Sequence, residues 1–169
     1  MNELIPILLI SLLLLESILL ISWNRIYFRF GIPIYVKRIP FYGSLNEPFD
    51  AEFLEKKFQG VYMPNMFFRK ISSKECVFRE KLWNFRISSY IPVMRGLIKG
   101  DEENNSLCII GYINWYVVFF AIFALFSAIL SSSPSWTPLL ALAILFYFIQ
   151  ANRFKNIADA AFEWLKKND

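Results

Sequence analysis

The sequence predicts a membrane α+β protein. Three transmembrane helices, one N-terminal anchor and one C-terminal helical hairpin, would carry an inserted small antiparallel β-rich cytoplasmic domain. Three observations predict this class. Residues 4–23 form an apolar run, and residues 109–154 hold two more apolar arms around a bend rich in serine and proline. Between these runs, short segments of strand-forming residues alternate with turn formers. Hydrophobic residues make up 56% and charged ones 19% of the chain, a balance that favours membrane residence over an ordinary soluble domain. The expected divisions are an anchor at 1–23, a β-rich domain at 24–108, a hairpin at 109–152 and an amphipathic tail at 153–169.

In the first run the apolar residues are interrupted only by Pro6, Ser11, Glu16, Ser17 and Ser22. A cleaved signal peptide would need a basic start and a small-residue cleavage site. This chain starts Met1-Asn2-Glu3 and has no such site near Trp23, so a retained anchor is expected. Glu16 stands out. It lies roughly 10 Å from the Trp23 end at helical rise, where a charged carboxyl costs on the order of a few kcal/mol. It needs a proton, a polar neighbour or a wet cavity. The readings are a packing hydrogen bond, an interhelical contact that fixes assembly, or an ion site. Apart from Glu16 itself, no acid or base lies within residues 4–23 or the hairpin 109–152 to complete a relay.

The 24–108 region carries 14 Lys and Arg against 9 Asp and Glu. Residues 32–39 read as an edge strand with Pro33 near its start. Asp50 is placed to cap a short helix over 51–58, with Phe53, Leu54 and Phe58 on one side and Gly60 as its stop. Residues 41–48 read as a loop. Residues 66–72 and 75–82 flank a Ser73-Lys74 turn and predict one β-hairpin. Residues 91–99 and 106–110 flank a turn-rich segment and predict a second. About five antiparallel strands with one helix result, as an α+β or small open-barrel domain. Its last strand would run almost directly into the second span.

The second span joins residues 109–114 to the apolar arm 115–130, which reaches about the 20 residues a hydrocarbon core requires. Trp115 and Tyr116 would sit at headgroup level. Ser131, Ser132, Ser133 and Pro134 end it, and a Ser135-Trp136-Thr137-Pro138 start opens the third span. The tail repeats Phe154, Ile157, Ala158, Ala161, Phe162 and Leu165 at helical spacing. It would extend the third span, lie in the interface, or pack on the central domain, and the apolar face favours packing. Arg25, Arg29, Lys37 and Arg38 follow the first span, and Arg153, Lys155, Lys166 and Lys167 follow the third. By the positive-inside rule, this predicts a multi-pass cell-membrane protein with its N-terminus outside and its C-terminus cytoplasmic.

The order of anchor, β-rich module and helical hairpin resembles that of bacterial pleckstrin-homology-like modules in small membrane proteins. The resemblance implies a β-rich fold held at a membrane and transfers no functional residue.

Chemistry is thin. Histidine is absent, which removes the commonest metal ligand and general base. Cys76 and Cys108 match no zinc spacing. The Asp101-Glu102-Glu103 run lacks the alternate spacing of a calcium loop and reads as a hairpin tip. No phosphate-binding glycine loop or nucleophile motif occurs. Basic and aromatic residues do interleave, from Trp23, Arg25, Tyr27, Phe28 and Arg29 through Phe67, Arg69, Lys70, Phe78 and Arg79 to Trp83, Phe85 and Arg86. Such a face either is solvated or holds anionic headgroups, and no nucleic-acid motif accompanies it. The expected contacts for lipid or an interface are Trp23, Arg25, Arg29, Lys37, Arg38, Arg153 and Lys155. The expected function is a non-enzymatic accessory or scaffold subunit without cofactor or metal. Its expected partners are membrane lipid and a membrane protein or a second copy, not nucleic acid. The alternatives are an immunity- or defence-associated membrane protein and a small transport or channel subunit using Glu16.

Overall fold

The computed structural model describes residues 4–40, 50–58, 66–81, 94–101, 104–131 and 137–168. The elements run α1 (Leu4–Ile21), α2 (Arg25–Arg29), β1 (Pro33–Pro40), α3 (Ala51–Lys57), β2 (Met66–Ser72), β3 (Glu75–Glu80), β4 (Arg95–Asp101), β5 (Ser106–Tyr112), α4 (Trp115–Ser131) and α5 (Thr137–Asn168). The five strands form one antiparallel sheet in the order β1-β5-β4-β3-β2. The 41–48 loop, the Gly60 stop, Trp83, Phe85 and Arg86, and most of the serine-proline bend lie outside the described residues.

Local chemistry explains the joints. The Asp50 side chain accepts the Phe53 amide at 3.0 Å and so caps α3 as its sequence requires. Asp101 accepts the Asn104 amide and side chain, which fastens the β4–β5 turn. At the end of α1, Trp23 adopts a left-handed φ of 54°. Its amide bonds back to Leu20 and the Asn24 amide to Leu19, the paired bonds of a Schellman cap. Asn24 then caps α2 by accepting the Tyr27 amide at 3.1 Å.

Strand alternation sorts side chains onto two faces. One face carries Ile39, Phe68, Cys76, Phe78, Ile98, Leu107 and Ile109 against α3 and the second half of α5. There Phe78 meets Phe154 edge-on, and Tyr35 stacks on Phe154 at 5.7 Å. The other face carries Val77, Leu97 and Tyr112 against Leu20, Tyr27 and Phe28. The edge strand β2 is guarded: the Glu55 carboxylate of α3 accepts the Phe68 amide at 2.9 Å.

The five antiparallel strands match the expected sheet, but the three transmembrane helices do not stand. Among the described residues, no helix is long and apolar enough to cross a membrane. The physical reason is length. Residues 109–112, counted above as the start of a span, belong to β5 and pair with β1 and β4. That leaves α4 with 17 residues, about 26 Å against a hydrocarbon core of about 30 Å. The 18 residues of α1 reach about 27 Å and include Glu16. α5 is one helix of 32 residues, but from Phe154 onward it packs on the sheet. Only its first 13 residues, to Ile149, are free of polar side chains beyond Thr137 and Tyr147. The expected multi-pass placement in a cell membrane, and the outside and cytoplasmic sides assigned to the termini, fall with the spans. The tail both continues the third apolar arm and packs on the central domain. Leu165 and Trp164 are buried there, whereas Phe162 remains half exposed. The central region holds two helices, α2 and α3, where one was expected.

Burial also makes the fold sensitive to high pH. Cys76 is fully enclosed, and desolvation pushes its thiol up to about 12 from an ordinary 9.0. Between those values the folded chain keeps a proton that the unfolded chain releases. Stability from this group is therefore intact below pH 9 and is lost as pH rises toward 12, by on the order of 1 kcal/mol per pH unit. Urea midpoints at pH 8 and pH 9.5 should show the fall, and Cys76→Ala should lessen it, the remainder coming from the tyrosine hydroxyls that burial also raises from 10.0. An unchanged slope in that variant would reassign the effect.

Candidate functional site

The most polar part of the interior lies where α1, α2, β4 and the β5–α4 joint meet. Glu16 is buried at 1% exposure. Its carboxylate accepts the Tyr27 hydroxyl from α2, the Trp115 amide at 2.7 Å and the Tyr116 amide at 2.9 Å. It thus caps α4 with an acceptor from a distant helix, at the end where a negative charge is favoured. Tyr27 lies edge-on to the Trp115 ring at 5.2 Å.

Arg95 enters from β4 and is wholly enclosed. Its guanidinium donates to the Tyr27 carbonyl, and to the Ile113 carbonyl at 3.2 Å. It sits 3.8 Å from the centroid of the Tyr27 ring and 5.2 Å from that of Tyr112. Tyr112 in turn donates its hydroxyl to the Arg29 carbonyl at 3.2 Å. Desolvation is the main cause lowering the Arg95 pKa, partly offset by Tyr27 and Glu16. Desolvation likewise raises the Tyr27 and Tyr116 hydroxyls, with Glu16 adding to both. The phenols keep their protons at neutral pH, and the cluster works as a fixed set of donors and acceptors.

Around the rim of the same sheet face lies a second, basic group. The Arg79 guanidinium stands 4.7 Å from the centre of the Trp23 ring and 5.6 Å from that of Phe67. Arg69 lies 6.0 Å from Trp23, and Lys81 lies 5.8 Å from Phe67. Trp23 is held by stacking on Phe28 at 5.4 Å.

The residues expected to touch lipid or an interface are dispersed. Trp23, Arg25 and Arg29 belong to the α1–α2 side. Arg25 is exposed, and Arg29 pairs with Glu75. Lys37 pairs with Asp159 of α5 at 3.0 Å, and Arg153 approaches Glu80 at 3.5 Å. Arg38 and Lys155 are exposed. Among the described residues of the interleaved basic and aromatic set, Trp23, Phe28, Phe67, Arg69 and Arg79 come together, joined by Lys81. Arg95 was missed as a functional candidate. Its one signal was a lone charge inside the apolar stretch Met94-Arg95-Gly96-Leu97-Ile98. Among the described residues no group of acids and cysteines could hold a metal.

No family model, curated protein or solved structure matches this chain.

Proposed function

We propose that the chain is a non-enzymatic accessory protein. It seats the apolar faces of α1, α4 and the first half of α5 against lipid, and so presents its basic sheet module to a protein partner at that surface. The observation that carries this reading is the exposure of large apolar side chains on those three helices. Ile7, Leu8, Leu14 and Ile18 of α1 are each more than half exposed, as are Ile122, Phe126 and Ile129 of α4 and Ile144, Leu145 and Phe148 of α5. Contiguous exposed apolar surface marks an interaction site. Charge and ring chemistry select lipid as the occupant. The sheet-side ends of α1 and α4 carry Trp23, Trp115 and Tyr116, with Arg25 and Arg29 next to them, the arrangement that favours a lipid–water boundary with anionic headgroups. The helices need only enter the apolar phase from one side, as interfacial helices do.

The buried cluster supports a non-catalytic role. Glu16, Tyr27 and Arg95 are each at most 1% exposed, so a substrate would have to displace α2 to reach them. Both oxygens of Glu16 are engaged, which favours fastening over ion relay.

The test is flotation of the full chain, purified in detergent and reconstituted by dilution with vesicles. It should rise with phosphatidylcholine vesicles and rise more with phosphatidylglycerol, and the difference should shrink at 0.5 M salt, a concentration at which the screening length is only about 4 Å. Recovery in the dense fractions as a defined oligomer, with either lipid, would overturn the reading in favour of self-association.

A further inference from the structure

We propose that Arg69, Arg79 and Lys81, on a platform of Trp23 and Phe67, form a binding site for a phosphate monoester carried by a lipid headgroup. This rests on the lipid reading for the source of the phosphate, while the site itself stands on the geometry of the sheet. Phe67 lies directly opposite Arg79 in the β2–β3 ladder, and Arg69 and Val77 are the next pair on the same face. Arg69 and Lys81 flank the Phe67–Arg79 pair on opposite sides, so each stands about 7 Å from Arg79 and about 14 Å from the other along the ladder, with Arg79 between them and long side chains on both sides to close the gap.

Arg29, Lys37, Lys56, Lys57 and Arg153 each have a carboxylate partner. Among the described residues no carboxylate pairs with Arg69, Arg79 or Lys81. Arg79 also lies directly opposite Arg95 in the β3–β4 ladder, a like-charge pairing that sheets disfavour. Among the described residues the buried Arg79 Nε has no hydrogen-bond acceptor, and its guanidinium otherwise donates to the Glu80 carbonyl at 3.4 Å. A guanidinium beside a second guanidinium and an ammonium matches a doubly charged tetrahedral anion better than a single carboxylate.

Trp23 supplies an independent sign. A bulky residue in the left-handed region is strained, and such strain persists where the surroundings hold it for a purpose. Glycine would end α1 at lower cost. The strain sets the indole between Arg79 and Phe28, at the end of the helix proposed to meet lipid. A lipid entering along α1 would bring its headgroup to this ring.

The test is titration calorimetry on the full chain in neutral detergent, with short-chain phosphatidic acid, short-chain phosphatidylcholine and inorganic phosphate as probes. Phosphatidic acid should bind at least tenfold more tightly than phosphatidylcholine. Arg79→Gln should weaken it tenfold or more. The exposed Arg69→Gln and Lys81→Gln, which cannot disturb the core, should each weaken it severalfold, and the distant Lys166→Gln should leave it unchanged. Inorganic phosphate that competes weakly supports the lipid monoester; binding as tight as that of phosphatidic acid would overturn the lipid source and leave a free-phosphate site. Equal affinity in Arg69→Gln, Lys81→Gln and the native chain would overturn the site. Flotation on phosphatidylcholine vesicles should be untouched by these variants, so the site and the lipid seating fail separately.

Discussion

Glu16→Ala should cost about 3–5 kcal/mol of stability, the range for removing one partner of a buried charged network. Three donors lose their acceptor at once: the Tyr27 hydroxyl and the Trp115 and Tyr116 amides. Each buried donor left alone costs about 1–3 kcal/mol, and relaxation of α4 recovers part of the sum. Arg95 also loses its neighbouring negative charge. Glu16→Gln should cost less, about 1–2 kcal/mol, because one carbonyl oxygen remains while an amide nitrogen is turned toward a backbone donor. Chemical denaturation gives the size of the loss. Hydrogen exchange gives its location, since protection should fall first at Trp115 and Tyr116. A double-mutant cycle with Arg95→Met should show coupling, because both residues share Tyr27. Strict additivity would mean that the helices and the sheet are fastened by something other than this cluster.

Gly96→Ala should cost about 3 kcal/mol, at the upper end for overpacking a core. A β-carbon at Gly96 would lie 2.2 Å from the end of the Phe78 ring and 2.4 Å from the Ile110 carbonyl oxygen. The ring can swing, but the carbonyl belongs to the neighbouring strand β5 and moves only with the β4–β5 ladder. Phe78 in turn packs on Phe68 and Phe154, so the displacement would pass to α5. A lowered urea midpoint together with a changed near-ultraviolet circular dichroism signal is the expected result. Native stability in Gly96→Ala would contradict the register that pairs Gly96 with Phe78 and Gly111.

These two residues differ in how visible they were beforehand. Glu16 was conspicuous as the single acid in an apolar run, and its need for a polar neighbour follows from its surroundings in sequence. The identity of that neighbour does not, because the amides it meets lie 99 and 100 residues away. Gly96 gave no such hint, since its constraint is a ring on an adjacent strand. The basic rim was legible as an interleaving of cations and aromatics. Which of them converge depends on the β2–β3 register, and on the cap that turns Trp23 back over the sheet.

The sheet was written locally. Asp50, the Ser73-Lys74 turn and the polar segment between β4 and β5 act within a few residues, and β-branched and aromatic runs between them leave strands as the remaining choice. The helical character of the three apolar runs was equally local. Where the second run changes from strand to helix was not, because an apolar stretch such as Ile109-Ile110 satisfies either state until a pairing partner decides. Hydrogen bonds from β1 and β4 claim that stretch for the sheet, and α4 is left too short to cross a bilayer. Composition and short-range order thus determined the elements. Their lengths, their neighbours and the burial of Glu16 against Arg95 and Tyr27 were decided by contacts between residues far apart in the chain, where the free energy of a buried polar group depends on partners that no local pattern encodes.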